Sequence, residues 1–346
     1  MHPIRQLLKK LVPDIESGAL DLDTALGSTL LGTTAEVIPP QPLPAPPRQI
    51  LLPNPVQLGD FAQSFTTLNE LFNDPALFVL KRVANLEPSY VLAVEEDNRL
   101  LGILAHRVFE KLFAHDDALT WSNHAAIVWF RTAADMLLQT EGAVLLMQGA
   151  GVSQQHFRKV CEGAICSLLD HLRSAGAIHV QTEVEFTGTL GAIPLIGKID
   201  LLVTLGDKRT AALDMKWRSD NYYAGLLRSG EHLQLALYSS LIEQTKGVAP
   251  AALGYFILES GALYVTAADT FPKAQVRRPP DGVTIDTLLD RARTTWNWRK
   301  QQLDAGAIDV VPEGPPDEFQ GPDGTLQVNG PSKWDRDHLV LLGGWQ

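Results

Sequence analysis

Residues 197–216 read GKIDLLVTLGDKRTAALDMK, and this stretch decides the fold of the chain. Two apolar runs, 199–205 and 211–215, flank residues 206–208, whose sequence Gly-Asp-Lys has the composition of a hairpin turn. The pattern predicts two antiparallel strands joined by a tight turn. Because side chains alternate between the two faces of a strand, the position of the turn also predicts which residues face each other.

Four charged residues of this hairpin are predicted to share one face. With the turn centred on Asp207, residues whose numbers sum to 414 are paired, so Asp200 opposes Asp214 and Lys198 opposes Lys216. Like charges that oppose each other, with Cβ atoms about 4.5–5.5 Å apart, destabilise a sheet. A hard divalent cation held by both carboxylates would offset the repulsion and leave positions for water or phosphate oxygens. Taken alone, an Asp-x-Lys tripeptide is more often part of a solvated surface hairpin.

Five short motifs follow one another along the chain and include this hairpin. They are SFTTLNEL at 64–71 followed by DPALF at 74–78, LGILAHRVFE at 101–110, GKID at 197–200, DMK at 214–216, and Gln234-x-x-x-Tyr238. In this order they resemble the motifs of the PD-(D/E)XK nuclease superfamily, and most of all those of the RecB-type nuclease domain of AddB-like proteins. The resemblance covers residues 60–312. It implies an α/β fold with a restriction-endonuclease-like core, in which helices flank a central mixed β-sheet, and a metal-dependent deoxyribonuclease activity.

The resemblance also assigns roles to individual side chains. It implies that Mg²⁺ or Mn²⁺ is held by His106, Asp200, Asp214 and the Met215 carbonyl, while Lys216 holds the attacking water or neutralises charge on the phosphate. The full catalytic set that it implies is Lys216, Asp214, Asp200, Glu183, Gln234 and Tyr238.

His106 lies in a segment with the apolar period of a helix, so it is predicted to be buried. A buried histidine is more often part of a core than a metal ligand, but its neutral imidazole can bind a cation. We favour the ligand because of the downstream motifs.

Two glutamates alternate with apolar residues in the stretch 179–186, so both project from one face of a predicted strand. The family pattern, an acidic residue three positions before Phe186, indicates Glu183, with Glu185 as the second choice. A solvent-facing edge strand is the alternative for both.

Gln234 and Tyr238 are four residues apart, so on a helix they lie on the same side. There they could hydrogen-bond a phosphate or orient the lysine. Ordinary helix packing is the alternative.

The cysteines differ from those of the nearest relatives. AddB-like nucleases commonly carry four cysteines around an iron–sulfur cluster, but this chain has Asp74 at the first place and none in the stretch 310–317. Its two cysteines, Cys161 and Cys166, lie five residues apart in a predicted helix, a spacing that suits neither a zinc pair nor a cluster. We therefore predict no iron–sulfur cluster, so the C-terminal arm must close onto the N-terminal motif segment by packing.

Charge and composition limit the partners. The 346 residues carry a formal net charge of −11, which predicts weak, salt-dependent DNA binding and a partner that supplies most of the grip on DNA. The resemblance implies that this partner is a helicase subunit or a helicase-like domain. Candidate DNA-backbone contacts are Arg218, Arg228 and Lys208. The sequence lacks a run of about eighteen apolar residues, a signal-peptide pattern and a disulfide framework, so we expect a cytoplasmic protein without a membrane partner.

The chain divides by composition into four parts. We predict a short helical N-terminal element at 1–38, a proline-rich linker at 39–57, the nuclease domain at 58–312 and an irregular tail at 313–346, whose tryptophans Trp334 and Trp345 indicate docking. Predicted helices are 98–115, 123–139, 153–174, 231–244 and 285–303; predicted strands are 178–187, 194–205, 210–216 and 252–258.

The expected function is exonuclease-type processing of DNA ends in recombinational repair or defence. Two alternatives remain open at this stage: a non-catalytic DNA-binding or assembly module that retains the fold, and a restriction-type endonuclease. Broken motifs would favour the module, and cleavage of closed circular DNA would favour the endonuclease.

Overall fold

A six-stranded mixed sheet lies at the centre of the fold. The computed structural model describes residues 47–58, 61–86, 98–267, 269–312, 314 and 317–332, and these belong to one compact unit. The strands of the chain are β1 (Gln49–Leu51), β2 (Ala177–Leu190), β3 (Ile193–Leu205), β4 (Thr210–Lys216), β5 (Ala252–Ile257), β6 (Ala262–Val265), β7 (Gln275–Val276) and β8 (Ala307–Asp309). The six-stranded sheet has the order β2-β3-β4-β5-β6-β7, and its pairs are antiparallel except for the parallel pairs β4-β5 and β6-β7.

Helices cover both faces of the sheet. They are α1 (Phe65–Asn73), α2 (Pro75–Phe78, followed by a π-helical turn Val79–Val83), α3 (Asn98–Phe113), α4 (Asn123–Thr140), α5 (Gly151–Ser174), α6 (Asp220–Ser229), α7 (Leu233–Lys246) and α8 (Ile285–Asp304). Helices α3, α4 and α5 pack their apolar residues on one face of the sheet, and α1, α2, α6, α7 and α8 pack on the other. The predicted fold class, a central mixed sheet flanked by helices, is confirmed.

The hairpin β3–β4 has the predicted register. Its pairs run from Thr204↔Thr210 to Leu201↔Leu213, and the two numbers of each pair sum to 414. The next position beyond the last pair brings Asp200 and Asp214 together at the end of the ladder. Strand β4 is almost entirely buried because β3 and β5 pair with its two edges and helices cover its faces.

Helix packing requires a residue without a side chain at Gly197, the first residue of the GKID motif. A Cβ atom at Gly197 would lie 2.6 Å from Leu241 Cδ1 and 3.5 Å from the Tyr238 ring, both on α7. Helix α7 therefore packs directly against the backbone of β3. This close approach brings the Gln234 and Tyr238 turns of α7 above the carboxylates of the hairpin.

The C-terminal arm closes onto the N-terminal part of the domain through a buried ion pair and a short sheet. Strand β8 pairs antiparallel with β1, and Arg299 Nη1 on α8 donates to Asp309 Oδ2 at 2.6 Å. Arg299 Nη2 donates to the Phe72 carbonyl at the end of α1, at 2.9 Å. Gln49 and Gln302 also donate to the Asp309 carboxylate, each at 2.9 Å. One carboxylate thus joins β1, α8 and β8.

Asp74, which precedes α2, caps that helix. Its side chain accepts a hydrogen bond from the Leu77 amide at 3.2 Å, which satisfies one of the free amides at the start of α2. The predicted absence of a cluster stays a prediction.

The predicted elements of the core agree with the structure to within a few residues, but shorter elements were missed. Helix α6, strands β6 and β7 and the β1–β8 pair had no counterpart in the sequence-based prediction. Part of the predicted linker contains β1, while the predicted helical element at 1–38 and both tail tryptophans lie outside the described residues. The predicted domain boundaries stay predictions. Across the part of the chain that the structure describes, no helix is long and apolar enough to cross a membrane.

Candidate active site

Two buried aspartates form the centre of the candidate site. Asp200 is 8% exposed and Asp214 is 1% exposed. Asp200 Oδ2 accepts a hydrogen bond from the Met215 amide at 2.6 Å, and Asp214 Oδ1 accepts one from Gln234 Nε2 at 2.7 Å. Asp214 Oδ2 lies 2.7 Å from Lys216 Nζ, an ion-pair contact. The backbone and α7 therefore hold both carboxylates in place.

The close approach of these carboxylates creates a need for positive charge. Burial and the charge of Asp214 raise the pKa of Asp200 to about 7, and the nearby cations only partly oppose the rise. The site therefore holds its second negative charge at a free-energy cost at neutral pH. This is the electrostatic situation in which a bound cation stabilises a protein.

Glu183 enters the site because the backbone of β2 is irregular there. Its φ is +53°, a left-handed conformation that is uncommon for a residue other than glycine. The carboxylate lies 3.0 Å from His106 Nδ1 and 2.6 Å from Lys198 Nζ. The hydrogen bond from His106 lowers the pKa of Glu183 to about 2, with Lys198 contributing. Glu185, the second choice from the sequence, is exposed.

His106 connects α3 to the hairpin. Its Nε2 lies 3.3 Å from the Met215 carbonyl oxygen, and its Nδ1 lies 3.7 Å from Asp200 Oδ1. Burial lowers the pKa of His106, but the hydrogen bond to Glu183 and the charge of Asp200 outweigh burial and raise it overall. A protonated imidazole can donate from both nitrogens, which matches these two acceptors.

These donors fit a divalent metal. One ligand atom each from His106, Glu183 and Asp200 lie within 4.8 Å of one another, and they combine carboxylate oxygens with an imidazole nitrogen. Of the predicted ligands, His106 and Asp200 belong to this group, and the Met215 carbonyl contacts His106. Asp214 instead contacts Lys216 and Gln234. Glu183, predicted as catalytic, is therefore also a candidate ligand.

Lys216 is held as a cation beside Asp214. Burial lowers its pKa, but the charge and contact of Asp214, together with Tyr223 and the charge of Asp200, outweigh burial and raise the pKa overall. The Nζ atom also lies 5.5 Å from the centre of the Tyr223 ring, within the range of a cation–π contact. Because the amine stays protonated at neutral pH, it is a hydrogen-bond donor and a positive charge there, and it does not accept a proton.

Gln234 and Tyr238 position Asp214. Gln234 Nε2 donates to Asp214 Oδ1 and also to Tyr238 Oη, at 3.0 Å. Tyr238 Oη in turn donates to the Lys198 carbonyl at 2.9 Å. The sequence indicates that this pair could hydrogen-bond a phosphate or orient the lysine, and that stays a prediction; in the structure the pair contacts Asp214 and the β3 backbone.

A groove of about 360 Å³ is lined by His106, Glu183, Lys198 and Lys216. One wall is the face of α3 that carries Arg99, Ile103 and Arg107, and Trp217 lies on the other side. Of the three predicted DNA-backbone contacts, Arg218 lies beside Asn98, which lines the groove, and its guanidinium donates to the Asn98 amide oxygen. Lys208 is in the β3–β4 turn at the opposite end of β4, and Arg228 lines a separate cavity on α6.

The sequence analysis did not identify three side chains at or near the groove: Arg99, Arg107 and Tyr223. Arg99 and Arg107 are two helical turns apart and share the His106 face of α3, a spacing that could have indicated them. Tyr223 beside Lys216 carried no sequence signal, because α6 was not recognised as an element.

Comparison with known proteins places the chain in a family. The family model for the PD-(D/E)XK nuclease superfamily matches residues 62–314. The chain therefore belongs to this superfamily, whose members are typically nuclease hydrolases that use divalent metals. No curated protein matches the chain. Among solved structures, it is similar to the crystal structure of protein VC1899 from Vibrio cholerae, with 13% identity and a TM-score of 0.22 over 64% of this chain and 58% of that chain.

Proposed function

We propose that this protein is a divalent-metal-dependent deoxyribonuclease that hydrolyses phosphodiester bonds. One observation carries the proposal: the superfamily residues Asp200, Asp214 and Lys216 are present and meet at one end of the hairpin, where His106 and Glu183 join them. A retained fold without catalysis does not need two buried aspartates, one of them with a raised pKa, beside a charged lysine.

The metal would be held by His106, Glu183 and Asp200, with Asp214 adjacent. When bound, Mg²⁺ or Mn²⁺ polarises the phosphoryl oxygen and stabilises the charge that develops during hydrolysis. Lys216, which remains protonated, donates hydrogen bonds to the attacking water or to a phosphate oxygen. Gln234 and Tyr238 keep the Asp214 carboxylate in a single orientation, and Asp214 in turn fixes the lysine.

We further propose that the protein is RecB-type and AddB-like and acts as an exonuclease on DNA ends in the cytoplasm. The motif order supports this assignment, and the pathway would be recombinational repair or defence. The net charge of −11 supports a partner that supplies most of the grip on DNA, since acidic residues outnumber basic ones and a phosphate-tracking surface needs Lys and Arg. The RecB-type resemblance suggests that this partner is a helicase subunit or a helicase-like domain.

The test compares DNA degradation by the native chain with that by two variants. End-labelled single- and double-stranded linear DNA and a covalently closed circle are incubated with Mn²⁺, Mg²⁺ or EDTA. We expect metal-dependent loss of label from the linear substrates, abolished by Asp214→Ala and by Lys216→Ala. Val248→Ala, on an exposed side chain at the opposite end of the sheet, is the matched control and should leave degradation unchanged.

The outcome on the circle separates the finer alternatives. An intact circle supports end-dependent action, and a cut circle supports an endonuclease. No degradation with any substrate, metal or added helicase would contradict the proposal and favour the non-catalytic module.

A further inference from the structure

A row of three tyrosine rings leads from the core to the surface beside the lysine. Tyr255 on β5 is buried, and its ring centre lies 4.9 Å from that of Tyr223 on α6. The Tyr223 ring contacts Lys216 Nζ, and its centre lies 5.0 Å from that of Tyr222 in an edge-to-face arrangement. Tyr222 is 60% exposed. A large aromatic ring is therefore presented to solvent one ring away from the candidate catalytic lysine.

Helix α6 holds this ring in a fixed position. The helix begins at Asp220, directly after Ser219, whose φ of +82° is strained for a residue other than glycine. The Asp220 carboxylate accepts hydrogen bonds from Ser260 Oγ at 2.6 Å and from Tyr264 Oη at 3.0 Å. The side chains of Ser260, which precedes β6, and Tyr264, on β6, thus hold the start of α6. Tyr222 lies in the first turn of α6.

The groove beside Lys216 also has the composition of a nucleic-acid site. Its α3 wall combines two arginines, Arg99 and Arg107, with Ile103, whose side chain is half exposed. Burial and the charge of Glu231 raise the pKa of Tyr222, and the charge of Lys216 opposes that rise. Cations that track phosphates, together with exposed apolar and aromatic side chains, are typical of single-strand binding grooves.

We propose that Tyr222 stacks on a nucleobase of single-stranded DNA next to the phosphate that is cut, and so selects single-stranded over double-stranded substrate. The inference rests on the proposed function, because it assigns the substrate class of the same site. In a duplex, base pairing and stacking on neighbouring bases occlude the face of each base. Only an unpaired base can lie on an exposed tyrosine ring without first being extruded from a helix.

Binding without hydrolysis provides the test. The full-length chain in EDTA at low salt is titrated into a fluorescently labelled oligothymidylate and, separately, into a labelled hairpin duplex, and affinity is read from anisotropy. Tyr222→Ala should weaken single-strand binding about 5- to 150-fold, as expected for the loss of one base stack, while Tyr222→Phe, which keeps the ring, should remain near the native affinity. Val248→Ala is the matched control for removal of an exposed apolar side chain.

A substrate with one abasic position locates the stack. The abasic position is moved along the strand from one oligonucleotide to the next. At one position it should weaken DNA binding by the native chain and by Tyr222→Phe, and at that position the affinity of Tyr222→Ala should not change. The proposal is overturned if Tyr222→Ala weakens duplex and single-strand binding equally, if Phe and Ala behave alike, or if the native chain binds neither DNA. The binding titration contains no metal, so it is independent of cleavage. If binding in EDTA depends on Tyr222 but no cleavage occurs in a separate assay with Mn²⁺, the proposed nuclease activity is refuted and the stacking inference stands.

Discussion

Replacing Arg299 should strongly destabilise the domain, because the residue is one half of a buried ion pair. The Arg299 side chain is 1% exposed and that of Asp309 is 9% exposed, with 2.6 Å between Nη1 and Oδ2. Arg299→Met would leave the Asp309 carboxylate buried without its cation and the Phe72 carbonyl without its donor.

The expected decrease in the free energy of unfolding follows from the burial of this ion pair. Removal of one partner of a buried ion pair costs about 3–5 kcal/mol. Gln49 and Gln302 still donate to Asp309 in the variant, so we expect the lower end of this range, about 3 kcal/mol. For a domain of this size, each kcal/mol lowers the melting temperature by about 2–4 °C, which gives a decrease of about 6–12 °C.

Thermal and urea unfolding, followed by circular dichroism, measure the effect. The matched control is Lys300→Ala on the same helix, which removes an ion pair to Asp304 whose two side chains are about half exposed. It should change the free energy of unfolding by about 1 kcal/mol at most. In the double variant Arg299→Met with Asp309→Asn, the loss should be less than the sum of the two single losses, because no charge is left buried alone.

A loss for Arg299→Met no larger than that for Lys300→Ala would refute the reasoning. It would show that the C-terminal arm is held by the β1–β8 pair and apolar packing, and that the buried pair contributes nothing net.

Three further predictions concern the site and its support. Gln234→Leu removes the donor to Asp214 and should lower kcat about 10- to 100-fold while changing stability by about 1 kcal/mol; unchanged kcat would contradict its positioning role. Mn²⁺ affinity should rise by at least about tenfold per pH unit below pH 7, because the cation must displace a proton from Asp200 and, since the pKa of His106 is also raised, one from that imidazole; calorimetry that finds no pH dependence from pH 5.5 to 8 would contradict this. Gly197→Ala should cost about 1–3 kcal/mol because its Cβ would collide with a leucine of α7, whereas Gly163→Ala, with open space on an exposed helix face, should add about 0.5–1 kcal/mol in urea unfolding.

Much of the core was predictable because its signals are local. The turn residues 206–208 and the apolar runs on either side fixed the hairpin register, since a shift by one residue would turn every apolar side chain to the wrong face. The helix containing His106 was predictable from its apolar period. The functional residue types were recognised through motif order rather than from their own surroundings, because a lone Asp-x-Lys or a lone histidine has a common structural explanation.

The sequence by itself thus determined the sheet with its flanking helices, the opposed pair Asp200 and Asp214, and the membership of the motifs in one family. Only the tertiary structure decided how the site is completed. The left-handed backbone at Glu183 accompanies the contact of that carboxylate with His106, and helix α6 places an exposed tyrosine one ring away from Lys216. These placements depend on contacts between residues far apart in the chain, and neither composition nor periodicity contains that information.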